Sequence, residues 1–328
     1  MPKVKVSVIV FIVVLILFLP RITEYFNHSK TITIAYYYIW YSQESDWDGK
    51  VKALPQLGSY KSSDPNIVKQ HIYWAKSAGI NCFAISYWGD RDSRSTACLD
   101  VTQTLAEQSF KFCLMLEGDS EDFDSTLLVS KELDIINSQF TNKPNYLKTD
   151  DNKPILIVFD VPSKVDFWRE VKTLHPEFSY WLSLKLTSQE PMAFSITNLV
   201  EVFDLIDVYC PLAYGLGLSS FVGVLSEQTV TAGLEAYFTQ KSQWNLQTKY
   251  SSTTICLQFD NTAWANIYHD RAPVSFSYSD NIASLYKSEL RRDYVFITSF
   301  NEFYEHTQVE PSVADGYKIL NAVQSLLQ

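Results

Sequence analysis

Apolar runs of strand length recur along this chain, and their spacing constrains the fold more than any other feature. Eight can be read: "TITIAYYYIW" from Thr31, "NCFAISYWG" from Asn81, "FKFCLMLEG" from Phe110, "KPILIVFD" from Lys153, "YWLSLKL" from Tyr180, "LIDVYCPLAY" from Leu205, "STTICLQFD" from Ser252 and "YVFITSF" from Tyr294. Each is apolar without strict alternation, the pattern of a strand covered on both faces, and segments with helical spacing lie between them. In "DPNIVKQHIYWAKSAG", Ile67, His71, Trp74, Ala75 and Ala78 share one helical face. Asp64 and Pro65 supply an N-cap and a first-turn proline, and Gly79 supplies the stop. Further helices are expected at about 121–139, 163–174, 226–246, 280–290 and 312–327, with weaker signals over Ser95 to Phe110 and Gln189 to Phe203. Eight strand and helix units in 328 residues fit a single (β/α)8 TIM barrel of class α/β, spanning 31–328. A doubly wound open sheet is the alternative, but no glycine-rich turn follows the first strand, so a dinucleotide site has no support.

The first thirty residues read separately. "MPKVKVSVIVFIVVLILFLPR", residues 1–21, places Lys3 and Lys5 before a continuous apolar run that ends at Pro20 and Arg21. That run approaches the roughly 17 to 25 residues of a membrane crossing, and no small-residue cleavage site follows it. It is expected to be an uncleaved signal anchor, with residues 22–30 as a stalk that carries the sequon Asn27-His28-Ser29. The two lysines would hold the N-terminus in the cytoplasm and put the barrel on the extracellular or lumenal side, with the membrane as its partner through the anchor.

Charge and composition exclude several classes. A net charge of -10 argues against nucleic acid or another polyanion, since phosphate-binding surfaces need clustered Lys and Arg. Cys82, Cys113, Cys210 and Cys256 fall in apolar runs and Cys98 in a helical segment. An odd count without CxxC spacing points to buried thiols rather than a disulfide framework or zinc site. The histidines, His28, His71, His175, His269 and His306, share no ligand spacing, and neither a P-loop nor a nucleophile elbow occurs. No metal or cofactor is expected.

In a parallel barrel, function collects at the C-terminal strand ends. Tyr37, Tyr38, Trp40 and Tyr41 end the first run, Ser86, Tyr87 and Trp88 the second, Glu117 the third and Asp160 the fourth. Tyr209 and Tyr214 belong to the sixth, Gln258, Asp260 and Asn261 to the seventh, and Asn301, Glu302 and Glu305 to the eighth. Aromatic faces interleaved with carboxylates and amides suit an oligosaccharide, whose C–H patches stack on rings while its hydroxyls need polar partners. Tyr37, Tyr38 and Tyr87 alternate along their strands, so at least one points into the barrel layers or toward the helices. On a turn leading into the last helix, Glu302 and Glu305 would lie within roughly 5 to 6 Å at Cβ. Two carboxylates that close divide into one ionised and one protonated, as glycoside cleavage requires. Glu310 is expected to begin the last helix.

"SFNEFYEHTQVEP" resembles the closing motif of glycoside hydrolase family 99, the endo-α-1,2-mannosidases and endomannanases, written Asn-Glu-Trp-x-Glu-Gly-Thr-Gln-Ile-Glu-Pro. "YYYIWYS", "GSYKSSDPNIVKQHIYWAKSAGINCFAISYWG" and "LQFDNTAWANIYHDR" are similar to its opening strand, its Gly-x-Tyr-x-Ser stretch through the Ser-Trp-Trp-Gly strand, and its Pro-Gly-Tyr-Asp-Asp-Thr segment. The resemblance implies a retaining endo-glycosidase acting on α-mannose-containing glycans or glycolipids through a 1,2-anhydro sugar. Glu302 would deprotonate the 2-hydroxyl and Glu305 would protonate the leaving oxygen. Asn301 would orient the pair, and Tyr37, Trp88 and Tyr209 approximate family positions around the sugar. From their own places at the strand ends and in the closing motif, Tyr38, Trp40, Tyr87, Glu117, Asp260 and Tyr304 are further candidates for contact with it. Phe303 stands in place of Trp, Tyr304 where His is common, His306 in place of Gly and Tyr87 in place of Trp, and the His-Trp after the first strand is missing from "SQESDWDGK". The alternative function is a non-catalytic carbohydrate-binding or polysaccharide-assembly protein on the same barrel.

Overall fold

The computed structural model describes residues 31–118, 120–184, 196–212, 223–268 and 273–328. The expected anchor at 1–21, the stalk at 22–30 and Tyr214 lie outside them. Among the described residues no helix is long and apolar enough to cross a membrane.

Eight parallel strands form one sheet: β1 (Ile32–Tyr37), β2 (Cys82–Tyr87), β3 (Lys111–Glu117), β4 (Ile155–Asp160), β5 (Ser179–Leu184), β6 (Leu205–Val208), β7 (Ser252–Ile255) and β8 (Tyr294–Ile297). Their order is β6-β5-β4-β3-β2-β1-β8-β7, so β1 pairs with both β2 and β8, and Ile34 faces Cys82 on one side and Phe296 on the other. The helices α1 (Pro65–Ser77), α2 (Ser95–Glu107), α3 (Thr126–Gln139), α4 (Val165–Leu174), α5 (Glu227–Asn245), α6 (Thr262–Tyr268), α7 (Asp280–Leu285) and α8 (Lys318–Leu327) fall between or after them. This is a nearly closed (β/α)8 barrel. The weak signal over Ser95 to Phe110 is a full helix, while the described part of the connection before β6 holds only turns.

Closure is completed by side chains where the sheet order ends. Asp207 on β6 accepts from Thr254 Oγ1 on β7 at 2.6 Å and from Tyr237 Oη on α5 at 3.1 Å. The same Tyr237 oxygen accepts the Thr254 amide at 3.1 Å. Lys241, one turn further along α5 and fully buried, donates to the Ile206 carbonyl at 2.6 Å and to Asn245 Oδ1 at 3.0 Å. Asn245 Nδ2 in turn donates to the Ser252 carbonyl at 3.0 Å.

Local chemistry sets the helix ends. The Asp64 carboxylate accepts the Asn66 amide at 2.8 Å, Pro65 opens α1, and Gly79 takes φ +84° just past its end, a conformation that disfavours side chains with a Cβ. α1 buries Val68, His71, Ile72, Trp74 and Ala75 against the barrel wall. The last helix starts at Lys318, six residues later than expected. The chain before it is held by a Ser312 bridge to Pro55, and Gly316 takes φ +56°. The main core fills the barrel and the layer beneath the helices, and all five cysteines are buried without a disulfide. A second, smaller core of Tyr41, Trp47, Tyr60 and Phe303 binds the β1–α1 loop to the chain after β8. Its centre is Tyr41 stacked on Trp47 at 4.1 Å.

Candidate active site

Alternation along each strand separates what faces the bore from what faces the helices. On β1, Tyr36 and Tyr38 point inward and Tyr37 does not. Tyr36 shares a hydrogen bond with Ser183 at 2.8 Å, and its ring lies 5.2 Å from Tyr209. Tyr37 is fully buried on the opposite side, with its hydroxyl 2.9 Å from His71 Nδ1 on α1 and its ring stacked on Phe83 at 4.5 Å. On β2, Ser86 points inward, while Tyr87 donates outward to Glu132 on α3 at 2.8 Å and packs near Phe140. The expectation that Tyr37 and Tyr87 line a sugar site is therefore corrected. With both faces of every strand apolar, sequence could not fix the phase of the alternation.

Glu117, at the end of β3, accepts from Ser86 Oγ at 2.6 Å, and that oxygen accepts Trp88 Nε1 at 3.0 Å. Trp88 is thereby fixed beside the bore. One face of its ring is covered by the Arg94 guanidinium at 3.9 Å, which is itself held by both Asp92 oxygens at 2.6 Å. Gly89 after it is required: φ is +100°, and a Cβ there would collide with the Asp122 carboxylate. Asp160, at the end of β4, is turned away from the bore toward Trp168 Nε1 at 3.1 Å and Lys164 at 3.3 Å.

The chain after β8 carries the acids. Residues 303–306 form a turn in which the His306 amide donates to the Phe303 carbonyl at 3.3 Å, and the Thr307 amide returns to the Glu302 carbonyl at 3.2 Å. The turn closes on itself rather than leading into a helix, correcting the sequence reading. Glu302 is buried: its amide donates to Ser299 Oγ at 2.8 Å, and its Oε1 accepts the Tyr304 amide at 2.7 Å. Glu305 is half-buried, and its carbonyl accepts the Asp260 amide at 2.7 Å. His306 has φ +50°, the left-handed region that glycine enters without cost and other residues enter at about 1 kcal/mol. That conformation gives a physical reason for the glycine in the motif this stretch resembles.

Asn301 does not face the bore. Its Oδ1 accepts the Tyr38 amide and its Nδ2 donates to the Tyr38 carbonyl, both at 2.8 Å, so it clamps the turn to the end of β1. The Tyr41 hydroxyl reinforces this clamp, donating to the Asn301 carbonyl at 3.1 Å and accepting the Phe303 amide at 3.0 Å.

Electrostatics show what shares the bore. Burial, then the charges of Glu117, Glu302 and Glu305, push the Tyr38 phenol far above its ordinary range. Burial is also the largest cause at Tyr209, whose phenol is raised further by Tyr38, Glu305 and Glu302. Two phenols kept protonated therefore lie within the field of both turn carboxylates. Trp40 stacks on Tyr38 at 4.3 Å and near Tyr304 at 5.9 Å, and Tyr304 lies 5.1 Å from Trp264 on α6. These rings make a continuous aromatic wall at the mouth.

The Asp260 carboxylate is taken up by its own neighbours. The residue belongs to a small ribbon of Gly223–Val224, Val274–Phe276 and Phe259–Asp260. Its carboxylate pairs with Lys52 and caps α6 through Thr262, at 3.0 Å to the amide and 2.5 Å to the hydroxyl. Burial opposes its ionisation, but the Lys52 and Thr262 bonds prevail and hold the carboxyl below the usual range. Sequence reasoning missed Lys52 and Trp264. Lys52 lies in a loop and Trp264 on the short helix α6, which the sequence did not announce.

Glu310, expected at a helix start, is instead buried. Its Oε2 accepts from the Tyr60 hydroxyl at 2.8 Å, and its Oε1 lies 3.2 Å from His71 Nε2. Among the described residues no group of three His, Cys, Asp or Glu side chains is arranged to hold a metal ion.

Comparison with known proteins gives these placements a context. Residues 43–183, which include Trp88 and Glu117 and stop short of Glu302, match the model of glycosyl hydrolase family 99. Glycoprotein endo-alpha-1,2-mannosidase of Mus musculus is 24% identical over 128 residues, a match that covers 36% of this chain and 28% of that protein. The chain thus spans well under half the length of that relative. The GH99 endo-alpha-mannosidase of Bacteroides thetaiotaomicron, solved with bis-tris-propane, superposes with a TM-score of 0.67 at 20% identity, covering 90% of this chain and 96% of that one. A glycoside hydrolase-like protein superposes with a TM-score of 0.64 at 14% identity over 92% and 94% of the two chains. The resemblance to glycosyl hydrolase family 99 thus extends from the closing motif to the family's own pattern in residues 43–183, on a barrel with the fold of its solved endo-α-mannosidases.

Proposed function

We propose that this chain is a retaining glycoside hydrolase that cleaves within α-mannose-containing glycans or glycolipids through a 1,2-anhydro sugar. The observation that carries the reading is the pair Glu302 and Glu305 on one closed turn at the strand ends, both acting on the buried phenols of Tyr38 and Tyr209. Glu302, buried and fixed by the Tyr304 amide, is the base that takes the proton from the sugar 2-hydroxyl as that oxygen attacks C1. Glu305, half-buried, gives its proton to the leaving oxygen and then removes one from the water that attacks C1 and opens the anhydro ring, while Glu302 returns its proton to the 2-oxygen. Tyr38 and Tyr209 stay protonated and can donate to ring hydroxyls or to an oxygen gaining charge. The wall of Tyr38, Trp40, Tyr304 and Trp264 supports a neighbouring sugar by stacking.

Digestion of a panel of mannose-containing glycans by the purified chain, read by mass spectrometry, tests the activity and shows where the chain cuts. The roles are tested by two substitutions. Glu305→Gln should lower hydrolysis of an unactivated substrate by roughly 10² to 10⁴ and recover much of this on a substrate with a good leaving group. Glu302→Gln should not recover, and a 2-deoxy substrate should be inert to the native chain. Equal rescue of both variants would reject the assignment.

The location is a proposal of the same kind. The lysines and apolar run of residues 1–21 support a membrane anchor with the barrel outside. A reporter fused after residue 30 should be digested by protease added from the exterior; its protection would reject that orientation.

A further inference from the structure

Glu310 and His71 take no part in the chemistry above, yet both side chains are wholly buried. His71 Nε2 and Glu310 Oε1 approach to 3.2 Å off the hydrogen-bond axis, and neither atom has a hydrogen-bond partner elsewhere. The other Glu310 oxygen takes the Tyr60 hydroxyl at 2.8 Å, and His71 Nδ1 lies 2.9 Å from the Tyr37 hydroxyl. Burying a carboxylate costs several kcal/mol unless it is paired, so a carboxylate kept here needs these partners, and they need it.

Its place in the chain gives the network meaning. The turn that holds Glu302 and Glu305 leaves the barrel at Phe300 and returns to it at Glu310, whose amide donates to the Phe300 carbonyl at 2.8 Å. Asn301 fixes the outgoing end to the backbone of Tyr38. Glu310 fixes the returning end to α1 through His71, to the β1–α1 loop through Tyr60, and by way of His71 to Tyr37, the neighbour of Tyr38. The two ends of the acidic turn are therefore referenced to adjacent residues at the end of β1, the outgoing one to Tyr38 and the returning one to Tyr37.

We propose that Glu310, acting through His71 and Tyr60, is a positioning residue that sets where Glu302 and Glu305 stand relative to the bore. This rests on the catalytic reading of those two acids. Glu310→Gln keeps an acceptor for Tyr60 and removes the charge facing His71. It should lower kcat about 10- to 100-fold on activated and unactivated substrates alike, since both acids move, with KM changed less than about threefold. His71→Gln keeps a nitrogen donor near the position of Nε2 and should recover most of the kcat lost in His71→Leu. Backbone hydrogen exchange of the full-length chain supplies a readout that needs no turnover. In Glu310→Gln the amides of Thr307, Val309 and Glu310 should exchange faster while those of β4 and β5 keep their native rates. Unchanged exchange in 299–310 would overturn the inference, as would a kcat loss that disappears once the folded fraction is taken into account. A native chain that neither cleaves nor binds any α-mannoside would sink the catalytic reading instead, and the exchange result would still decide whether Glu310 fixes the turn.

Discussion

Asn301→Ala gives a sharp test of how the acidic turn is attached. The Asn301 amide makes two 2.8 Å bonds to the backbone of Tyr38, and both residues are buried. Removing it strands one N–H and one C=O, each costing about 1–3 kcal/mol when left unpaired, so the two together predict a loss of about 4 kcal/mol. Asn301→Asp separates the two bonds. The introduced carboxylate still accepts the Tyr38 amide but faces the Tyr38 carbonyl without a proton, which raises its folded pKa above the unfolded value near 3.9. A raised carboxyl pKa means the native state binds the extra proton, so this variant should lie closest to the native chain at the acid end and fall away from it as pH rises through the folded pKa. Urea unfolding of the native chain and both variants at pH 4.5 and pH 7 measures this. A loss below about 1 kcal/mol in Asn301→Ala, or a gap for Asn301→Asp that does not widen with pH, would refute the clamp.

Other expectations follow from the same geometry. Lys241 is buried, and burial, opposed by Asp207 and assisted by Arg292, lowers its pKa to about 8. The unfolded chain therefore holds more protons above pH 8, and stability should rise by about 1.5 kcal/mol between pH 8 and 9.5. Lys241→Met should abolish this slope in urea titrations. Trp40→Ala should raise KM about 5- to 30-fold with a smaller effect on kcat, because it removes a stacking surface and leaves both acids in place; steady-state kinetics decides. Lys52→Met should let the Asp260 carboxyl drift back toward its ordinary range. Since a depressed carboxyl stabilises above its unfolded pKa and loses that contribution in acid, the variant should be less stable than the native chain at pH 7 and converge with it as pH falls through the lowered folded pKa.

The barrel was legible because its evidence is local. Each strand is a continuous apolar run, most of the helices fall where helical spacing was read, and the first helix carries its own cap and stop in Asp64, Pro65 and Gly79. The orientation of residues within those strands was not legible. Tyr37 and Tyr38 are the same residue type on a strand covered on both sides, and only the position of α1 sends one to His71 and leaves the other in the bore. Glu310 was misread for a related reason. An acid before a proline resembles a helix start, and nothing near it in sequence announces partners at 60 and 71. Asn301 was read as orienting the two acids, as the resemblance implied, whereas its side chain is spent on backbone 263 residues away.

No backbone ladder joins β6 to β7, and α5 stands in for it. Tyr237, Lys241 and Asn245 follow one another at four-residue intervals on a single helical stripe, and reach in turn Thr254, the Ile206 carbonyl and the Ser252 carbonyl. Mechanically the barrel is a hoop fastened by a clasp. Its circumference at that point depends on the reach of these side chains and of the Asp207–Thr254 bond, and not on the fixed spacing of a β-ladder. A shift of α5 along its axis would change the bore without breaking any strand pairing, so substitutions on that stripe, two strands from β1 at the β6–β7 seam, can alter the width of the bore while every residue at the acidic turn stays as it is.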